Sequence, residues 1–420
     1  MENIIKPLLE LEAYASTKVD IARGNTPIYL TGIVDAAKAH MIHSLSGNKQ
    51  KLVITYNEMR AKELVEDLRF FEKDKVYLYP ARDMIFYSAD VHSNDLLRER
   101  LDVINQLVMN EPVTVVLSIE ALLDSIVHKA LFAASILHIT SDHTIKMNEL
   151  IMKLSQMGFE RTSQVESRGQ FAIRGGIIDI FPVNSDEMFR IELWGDVIDS
   201  MRSVNPETQR TMYDVTEIMV MPAREMLVND ENIKLAGERI QKEHTSFRNK
   251  LVKNNVEPVI LEHLDKSVSA LLEKVNNNGN FNGIEGQIYY YYEEEDIVSI
   301  MDYFDEPIIY LDEPARIKQR LTTIKTEFDE SMKNRLEKGY LLPSQMKVYH
   351  QPSHILKFIE NSTAILMSTL YQNENLLPFK VRHEVLSKSV NAYNPNFELW
   401  IKDLKYYIGK DYKILFLTGT

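Results

Sequence analysis

Short apolar runs alternate with amphipathic segments over the first 140 residues, and this alternation limits the possible folds more than any other feature. Between the apolar runs, residues 57–72 and 94–109 carry apolar side chains at helical spacing beside charged opposite faces. The candidate strands are 28–32, 51–56, 75–80, 113–118 and 134–140. Strands that alternate with helices are typical of a parallel sheet covered by helices. The sequence therefore predicts the first part of an α/β domain over residues 1–144.

The pattern changes near residue 145. One helix-like segment is followed by period-2 runs that Gly, Asp and Asn turns separate, as in a meander of antiparallel strands. We therefore predict a small α+β antiparallel-sheet domain, residues 145–225, inserted into the α/β domain. The α/β pattern resumes over 226–390, and 391–420 read as helix, turn and strand, the start of a further small α/β domain that is cut short.

The composition excludes several kinds of functional site. The 420 residues include no Cys, which excludes disulfides, thiolate zinc sites and Cys nucleophiles, and the eleven His lack metal-ligand spacing. We accordingly expect no metal site. The net charge of -13 opposes a surface built to coat nucleic acid. No apolar run reaches the ~20 residues that a membrane-spanning helix needs, so a cytoplasmic protein without membrane contact is expected.

The stretch IYLTGIVDAAKAHMI, residues 28–42, is similar to a phosphate-binding loop. Counted from Gly32, the pattern G-x-x-x-x-G-K-[ST] places Ala37, Lys38 and Ala39 at its last three positions. A working loop needs the second Gly for close phosphate approach and the hydroxyl for Mg²⁺. Asp35 adds a negative charge that opposes a triphosphate. These residues alone fit a degenerate nucleotide site and an ordinary strand–turn–helix equally well.

A second stretch, IIYLDEP, ends an apolar run with Asp312 and Glu313. In a Walker B strand, such acids hold Mg²⁺ and orient the attacking water. The alternative is that Asp312 caps the helix that begins at Pro314, and the stretch alone favours that alternative. Because the phosphate-loop-like stretch with Lys38 occurs in the same α/β unit, the two stretches together favour the interpretation of Asp312 and Glu313 as part of a degenerate nucleotide site. We predict no catalytic residue.

Three arginines, Arg161, Arg168 and Arg174, fall within fourteen positions of this acidic chain, close to Phe171 and Phe181. Exposed Arg beside apolar side chains is typical of protein-interface anchors. Solvated strand arginines are the simpler alternative. A cluster on one small sheet nevertheless raises the hypothesis of a binding face.

Residues 158–210 closely resemble the small inserted domain shared by the excision-repair protein UvrB and the bacterial transcription-repair coupling factors (Mfd proteins). The resemblance lies in the pattern G-x-F-x-x-R-G-G-x-x-D-I-F-P, followed by R-I-E-x-x-G-D-x-I-D-S-x-R and T-Q-R. Residues 79–107 are similar to the first α/β domain of the coupling factors. Three departures from UvrB favour that family. Ala37-Lys38-Ala39 replaces Gly-Lys-Thr, residues 88–95 are too short for the aromatic β-hairpin of UvrB, and a second motor domain is missing.

The resemblance implies an N-terminal UvrB-like module with a degenerate helicase-like, RecA-like parallel-sheet domain. Such a module is a non-catalytic adaptor that recruits UvrA to RNA polymerase stalled at a lesion, and it needs no cofactor of its own. The implied UvrA-binding residues are Arg161, Arg168, Arg174 and Phe181.

RNA polymerase, double-stranded DNA, ATP and Mg²⁺ would be bound by other parts of the parent protein, an ATP-dependent DNA translocase. Those C-terminal parts would also contact this module. Two alternatives stay open: a UvrB-like ATP-dependent damage-verification factor that uses Lys38 and Asp312, and a purely structural role that restrains the motor.

Overall fold

The computed structural model describes residues 5–82, 94–142, 144–278, 281–391, 393 and 396–414. The strands are β1 (Ile28–Thr31), β2 (Lys51–Thr55), β3 (Val76–Tyr79), β4 (Thr114–Ser118), β5 (Ile126–Val127), β6 (Leu137–Thr140), β7 (Glu160–Thr162), β8 (Gln170–Arg174), β9 (Ile177–Phe181), β10 (Met188–Trp194), β11 (Val197–Val204), β12 (Thr211–Asp214), β13 (Glu217–Val220), β14 (Ile297–Val298), β15 (Ile308–Asp312), β16 (Thr363–Ser368) and β17 (Val381–Glu384). The α-helices are α1 (Glu12–Ala22), α2 (Asp35–Ser46), α3 (Glu58–Glu72), α4 (Asn94–Val108), α5 (Lys129–Ala134), α6 (Met147–Gln156), α7 (Asp230–Lys253), α8 (Pro258–Asn278), α9 (Ile288–Tyr291), α10 (Pro314–Glu337), α11 (Pro352–Asn361) and α12 (Phe397–Ile408).

A seven-stranded parallel sheet in the order β17-β1-β16-β15-β2-β4-β3 forms the centre of the larger domain. Its inner strands β1, β2, β4 and β15 are buried along their whole length because both faces are covered, whereas the edge strand β17 is polar and partly exposed. Ile28 and Leu30 of β1 pack into one core, and Tyr29 packs into the core on the opposite face. The predicted parallel-sheet α/β fold is confirmed. Because all strands run the same way, β1, β2, β15 and β16 end at one edge of the sheet.

A six-stranded sheet in the order β12-β11-β10-β9-β8-β7 lies between β4 and β15 in the sequence. Its pairs are antiparallel except for β7 with β8. The inner face of this sheet shares a hydrophobic core with the parallel sheet, through residues such as Phe171, Ile180 and Ile191. The predicted antiparallel sheet is confirmed, and its limits at 145 and 225 stay predictions.

Two predicted strand assignments are wrong. Residues 134–140 were expected to continue the parallel sheet, but β6 pairs with β13 in a separate antiparallel pair. Only Ile139 of β6 is buried, so the strand lacks the two apolar faces that an inner parallel strand needs. The run that forms β13 was predicted as part of the antiparallel meander, and it is instead the partner of β6 in this separate pair. The described part of the final segment is α12 and a short extension to residue 414, so most of the strand predicted after the turn, like most of 88–95, falls outside the described residues.

A buried ion network ties the end of the inserted segment to the parallel sheet. Arg100 of α4 donates to Glu225 at 2.7 Å and 3.2 Å, and to Asp124 at 2.7 Å. Arg82 pairs with the same Glu225. The Arg100 guanidinium also lies 4.1 Å from the ring centroid of Tyr79, at the end of β3. These contacts fix where the inserted sheet leaves the larger domain.

In the part of the chain that is described, no helix has both the length and the apolar character that crossing a membrane requires.

Candidate functional site

Lys38 is the centre of a charge cluster at the carboxyl edge of the parallel sheet, in which Lys38 and Asp312 are buried and Asp35 is exposed. Its ammonium group lies 2.6 Å from Asp312, 2.7 Å from Glu313 and 2.8 Å from Asp35. The strand–turn–helix from β1 to α2 supplies Lys38 and Asp35, and the end of β15 supplies the other two carboxylates. The structure thus brings together the lysine and the acids of the two predicted motifs.

Further donors complete the cluster. Asp312 also accepts from Thr55 at 3.0 Å and from Arg60 at 3.0 Å. The carboxylate of Glu313 accepts from the backbone N–H of Thr369 at 2.9 Å. Asp312 therefore does not cap α10. Glu313 is the N-cap residue there, in a left-handed conformation with φ of 57° and without a side-chain capping bond. The capping alternative for Asp312 is wrong.

The charges of the cluster favour an ionised lysine. Burial alone would lower the pKa of Lys38, but the charge of Asp312 and hydrogen bonds to all three acids outweigh burial and raise it. Burial raises the pKa of Asp35, yet the hydrogen bond and charge of Lys38 bring it below its usual range. The three carboxylates each offer an oxygen within 4.8 Å of the others, as a cation site would. The ammonium group of Lys38 lies within hydrogen-bond distance of all three.

The turn that precedes α2 is short and covered. Gly32, with φ of 76°, begins the three residues between β1 and α2, and a Cβ there would overlap the carbonyl oxygen of Val385. The hydroxyl of Ser387 donates to Gly32 O at 2.6 Å and accepts from the N–H of Val34 at 2.9 Å. The N–H of Val34, a backbone donor of the kind that binds phosphate in a working loop, thus donates to the chain after β17.

The two alanines of the motif lie on the core side of α2. Ala39 is 1% exposed within the core beneath the sheet, and Ala37 is partly buried against the same core. Neither alanine has a side-chain hydroxyl that could hold Mg²⁺. The N–H of Ala37 donates to Val34 O at 2.9 Å, inside the first turn of the helix.

The inserted sheet carries a second charge cluster on its outer face, away from the shared core. Asp179 of β9 is 1% exposed and accepts from Arg190 at 2.6 Å and 3.0 Å, and from Arg174 at 2.6 Å. The hydrogen bond to Asp179 raises the pKa of Arg190. Arg190 lies opposite Arg202 of β11, and Arg202 lies opposite Asp214 of β12, so charged side chains continue across the sheet. A buried carboxylate thereby fixes two guanidinium groups at the surface.

The predicted contact residues separate into two sets. Arg174 and Phe181 share the outer face, and Phe181 is only 7% exposed in a small cluster on that face. Arg168 pairs with Asp186 and lies 6.0 Å from the centroid of the Phe181 ring. Arg161, in contrast, is in register with Phe171, which faces the shared core. The exposed Arg161 at the sheet margin is therefore apart from the other three.

Comparison with known proteins connects this sheet to a family. The family described as "UvrB interaction domain" matches residues 137–226. A transcription-repair-coupling factor of Bacillus subtilis is 30% identical over 346 residues, which cover 81% of this chain and 29% of the relative. The relatives of the same name in Staphylococcus haemolyticus and Staphylococcus aureus (strain bovine RF122 / ET3-1) are 26% and 25% identical, over 96% and 94% of this chain and 34% and 33% of the relatives. The chain belongs to the transcription-repair-coupling factor family.

This member of the transcription-repair-coupling factor family spans about a third of the length of the relatives it matches. It carries the N-terminal UvrB-like module of that family, including the UvrB interaction domain.

Sequence reasoning missed two residues of this transcription-repair-coupling factor module. Asp179 and Arg190 organise the outer face, and neither was a predicted site residue. A signal for Asp179 exists in the run IIDIF, because a carboxylate within an apolar strand requires a charged partner. The partner itself could not be chosen without knowing that β9 pairs with β10.

Proposed function

We propose that this chain is a non-catalytic adaptor that binds UvrA through the outer face of its inserted sheet and so recruits UvrA to lesion-stalled RNA polymerase in nucleotide excision repair. The full-length parent would be a cytoplasmic ATP-dependent DNA translocase. RNA polymerase, double-stranded DNA, ATP and Mg²⁺ would be bound by its other parts, which would also contact this module.

The observation that supports the proposal most is the arrangement around Asp179. Arg174 and Arg190 share one buried carboxylate, so their guanidinium groups are oriented before a partner arrives. Pre-oriented arginines lose less side-chain entropy on binding than free ones. Arg174 remains 49% exposed at its side chain and can pair with an additional carboxylate. Charge-assisted pairs of this kind set orientation and association rate.

Phe181 would contribute to UvrA binding mainly through Arg168 and only slightly by direct contact. It is nearly buried, and the guanidinium of Arg168 lies over its ring. We infer that Phe181 supports Arg168 from below and supplies only a small apolar contact itself. Arg161 lies apart from this face, and we propose that it makes a separate contact with UvrA at the margin of the sheet.

The degenerate nucleotide site supports the adaptor function over the rival enzyme. A UvrB-like ATPase requires a lysine that reaches phosphate and an acid that holds Mg²⁺. Here Lys38 and Asp312 bind each other, and the segment with Val385 and Ser387 covers the turn. We infer that the cluster stabilises the fold that supports the inserted sheet.

A titration of the chain with UvrA tests this function, with Arg174→Glu as the variant. Charge reversal at a central contact should weaken binding by about 2 kcal/mol or more, roughly 30-fold in Kd. Arg248→Glu is the matched control, because Arg248 is also a half-exposed arginine paired with an aspartate, at 3.0 Å on the distant helix α7. Equal binding of UvrA by wild type and Arg174→Glu would refute the assigned face.

A further inference from the structure

Trp194 is 83% exposed at the tip of the β10–β11 hairpin. It pairs in register with Val197, which is 54% exposed. A register shift after Glu192 keeps Leu193 and Ile198 on the inner face, so Trp194 and Val197 lie on the outer face. The exposed apolar pair therefore shares a face with Arg190 and Asp179.

The hairpin tip is held by its neighbours. The N–H of Leu193 donates to Gly176 O at 2.8 Å, and the N–H of Ile145 donates to Asp196 O at 2.7 Å. An isolated bridge joins Thr144 to Val197. The indole is thus exposed on a backbone that is fixed from two sides. A rigid exposed aromatic requires little ordering on binding, which is the property of an interface anchor.

The surroundings of the indole leave it accessible. The adjacent β8–β9 turn is Gly175-Gly176, which projects no side chain toward the tip, and a Cβ on Gly175 would meet no atom within 4 Å. Two residues before Trp194 on the same strand, Glu192 lies opposite Ile177 of β9, which in turn lies opposite Arg174 of β8. These three residues form a row across the sheet next to the indole. Same-face neighbours along a strand are roughly 7 Å apart, so Trp194 and this row fit beneath one partner surface.

We propose that Trp194, together with Val197, is the apolar anchor of the partner-binding face and inserts into an apolar pocket of UvrA whose rim carries carboxylates. This inference depends on the proposed function, since UvrA is the partner in both. The apolar pocket would receive the indole, and the acidic rim would meet Arg174. Trp and Arg, here exposed on one face, are among the residue types that dominate binding energy at protein interfaces.

We expect folding not to depend on the indole. Trp194 belongs to none of the hydrophobic clusters of the described residues, so Trp194→Ala should unfold at the same temperature as wild type. UvrA binding, in contrast, should weaken about 30-fold, as for an interface hot spot. The control is Met59→Ala, which removes a 70% exposed apolar side chain from helix α3. Its Kd should stay within about twofold of wild type.

The chain contains only two tryptophans, Trp194 and Trp400. A Trp400→Phe chain labelled with 5-fluorotryptophan therefore gives one ¹⁹F resonance, which reports on position 194. On addition of unlabelled UvrA, we expect this resonance to shift and to lose its H₂O/D₂O solvent isotope shift. Binding by Trp194→Ala equal to wild type, with the isotope shift retained, would overturn the inference while UvrA binding stands. Failure of the wild-type chain to bind UvrA would instead overturn the proposed function.

Discussion

The ammonium group of Lys38 lies 2.6 Å from Asp312, and neither side chain is exposed to solvent. In a nucleotide site, the corresponding lysine and acid face a phosphate and its metal ion from two sides. Here they neutralise each other directly. A nucleotide would have to break this buried pair and displace the segment over Gly32, and both steps cost free energy.

The first prediction concerns nucleotide binding. Addition of millimolar Mg-ATP should leave the melting temperature of the chain unchanged, because a ligand stabilises a protein only when it binds the folded state. Differential scanning fluorimetry with ADP, ATP and no nucleotide measures this. A rise of several degrees that Lys38→Ala abolishes would contradict the interpretation of the site as degenerate.

The second prediction concerns the structural role of Lys38. Lys38→Met should destabilise the chain by about 3–5 kcal/mol, because it removes the buried cation that lies between Asp312 and Glu313 and leaves Asp312 with Arg60 alone. Urea denaturation followed by circular dichroism measures the loss. Lys62→Met is the control, since Lys62 is 60% exposed and pairs with Glu58 on the surface of α3, where such pairs contribute less than about 1 kcal/mol. Similar losses for the two variants would show that the buried cluster has no special role.

The third prediction separates Asp179 from the residues that it positions. Asp179→Asn should weaken UvrA binding about tenfold, because Arg174 and Arg190 lose the shared carboxylate that orients them. The weakening should appear mainly as slower association, which biolayer interferometry at two salt concentrations resolves. Unchanged association of Asp179→Asn, beside a slowed Arg174→Glu, would mean that the orientation of the arginines is irrelevant.

The fourth prediction concerns pH. Burial opposes ionisation of Glu225, but the charges of Arg100 and Arg82 and their hydrogen bonds prevail and lower its pKa to about 2. An unfolded glutamate has a pKa of about 4.3. The folded state therefore gains stability from Glu225 above that value, and the gain disappears as pH falls toward 2.

Glu225→Gln should thus cost about 3 kcal/mol or more at pH 7, and its deficit against wild type should shrink as pH falls from 5 to 3. Urea midpoints at a series of pH values measure the difference. Glu330→Gln, at an exposed position of α10, should show no such pH dependence. A deficit that stays constant between pH 5 and pH 3 would contradict the assigned ionisation.

The fold was predictable where periodicity is strong. The apolar runs of β1, β2, β3 and β4 and the alternation in β10 correctly indicate a parallel sheet and an antiparallel one. β6 was misassigned because a short apolar run does not reveal its partner. Its pairing with β13 joins residues about 80 positions apart, and only tertiary packing determines that contact.

The candidate sites were predictable by residue type but less so by geometry. The spacing of the two motifs predicts Lys38 and Asp312 as site residues. Their direct ion pair depends on how α2 packs beside β15, which motif spacing does not specify. The structure places Arg174 and Phe181 on one face of the sheet, and their part in partner binding stays a prediction. The separation of Arg161 from them follows from the parallel pairing of β7 with β8, which the sequence pattern does not specify.

Hydrogen–deuterium exchange of the chain with and without saturating UvrA tests the central claim most directly. Our account predicts slower exchange of amides within residues 170–204, which form β8 to β11, and unchanged exchange within residues 28–46 around the Lys38 cluster. Unchanged exchange throughout 170–204 in the presence of bound UvrA would contradict it.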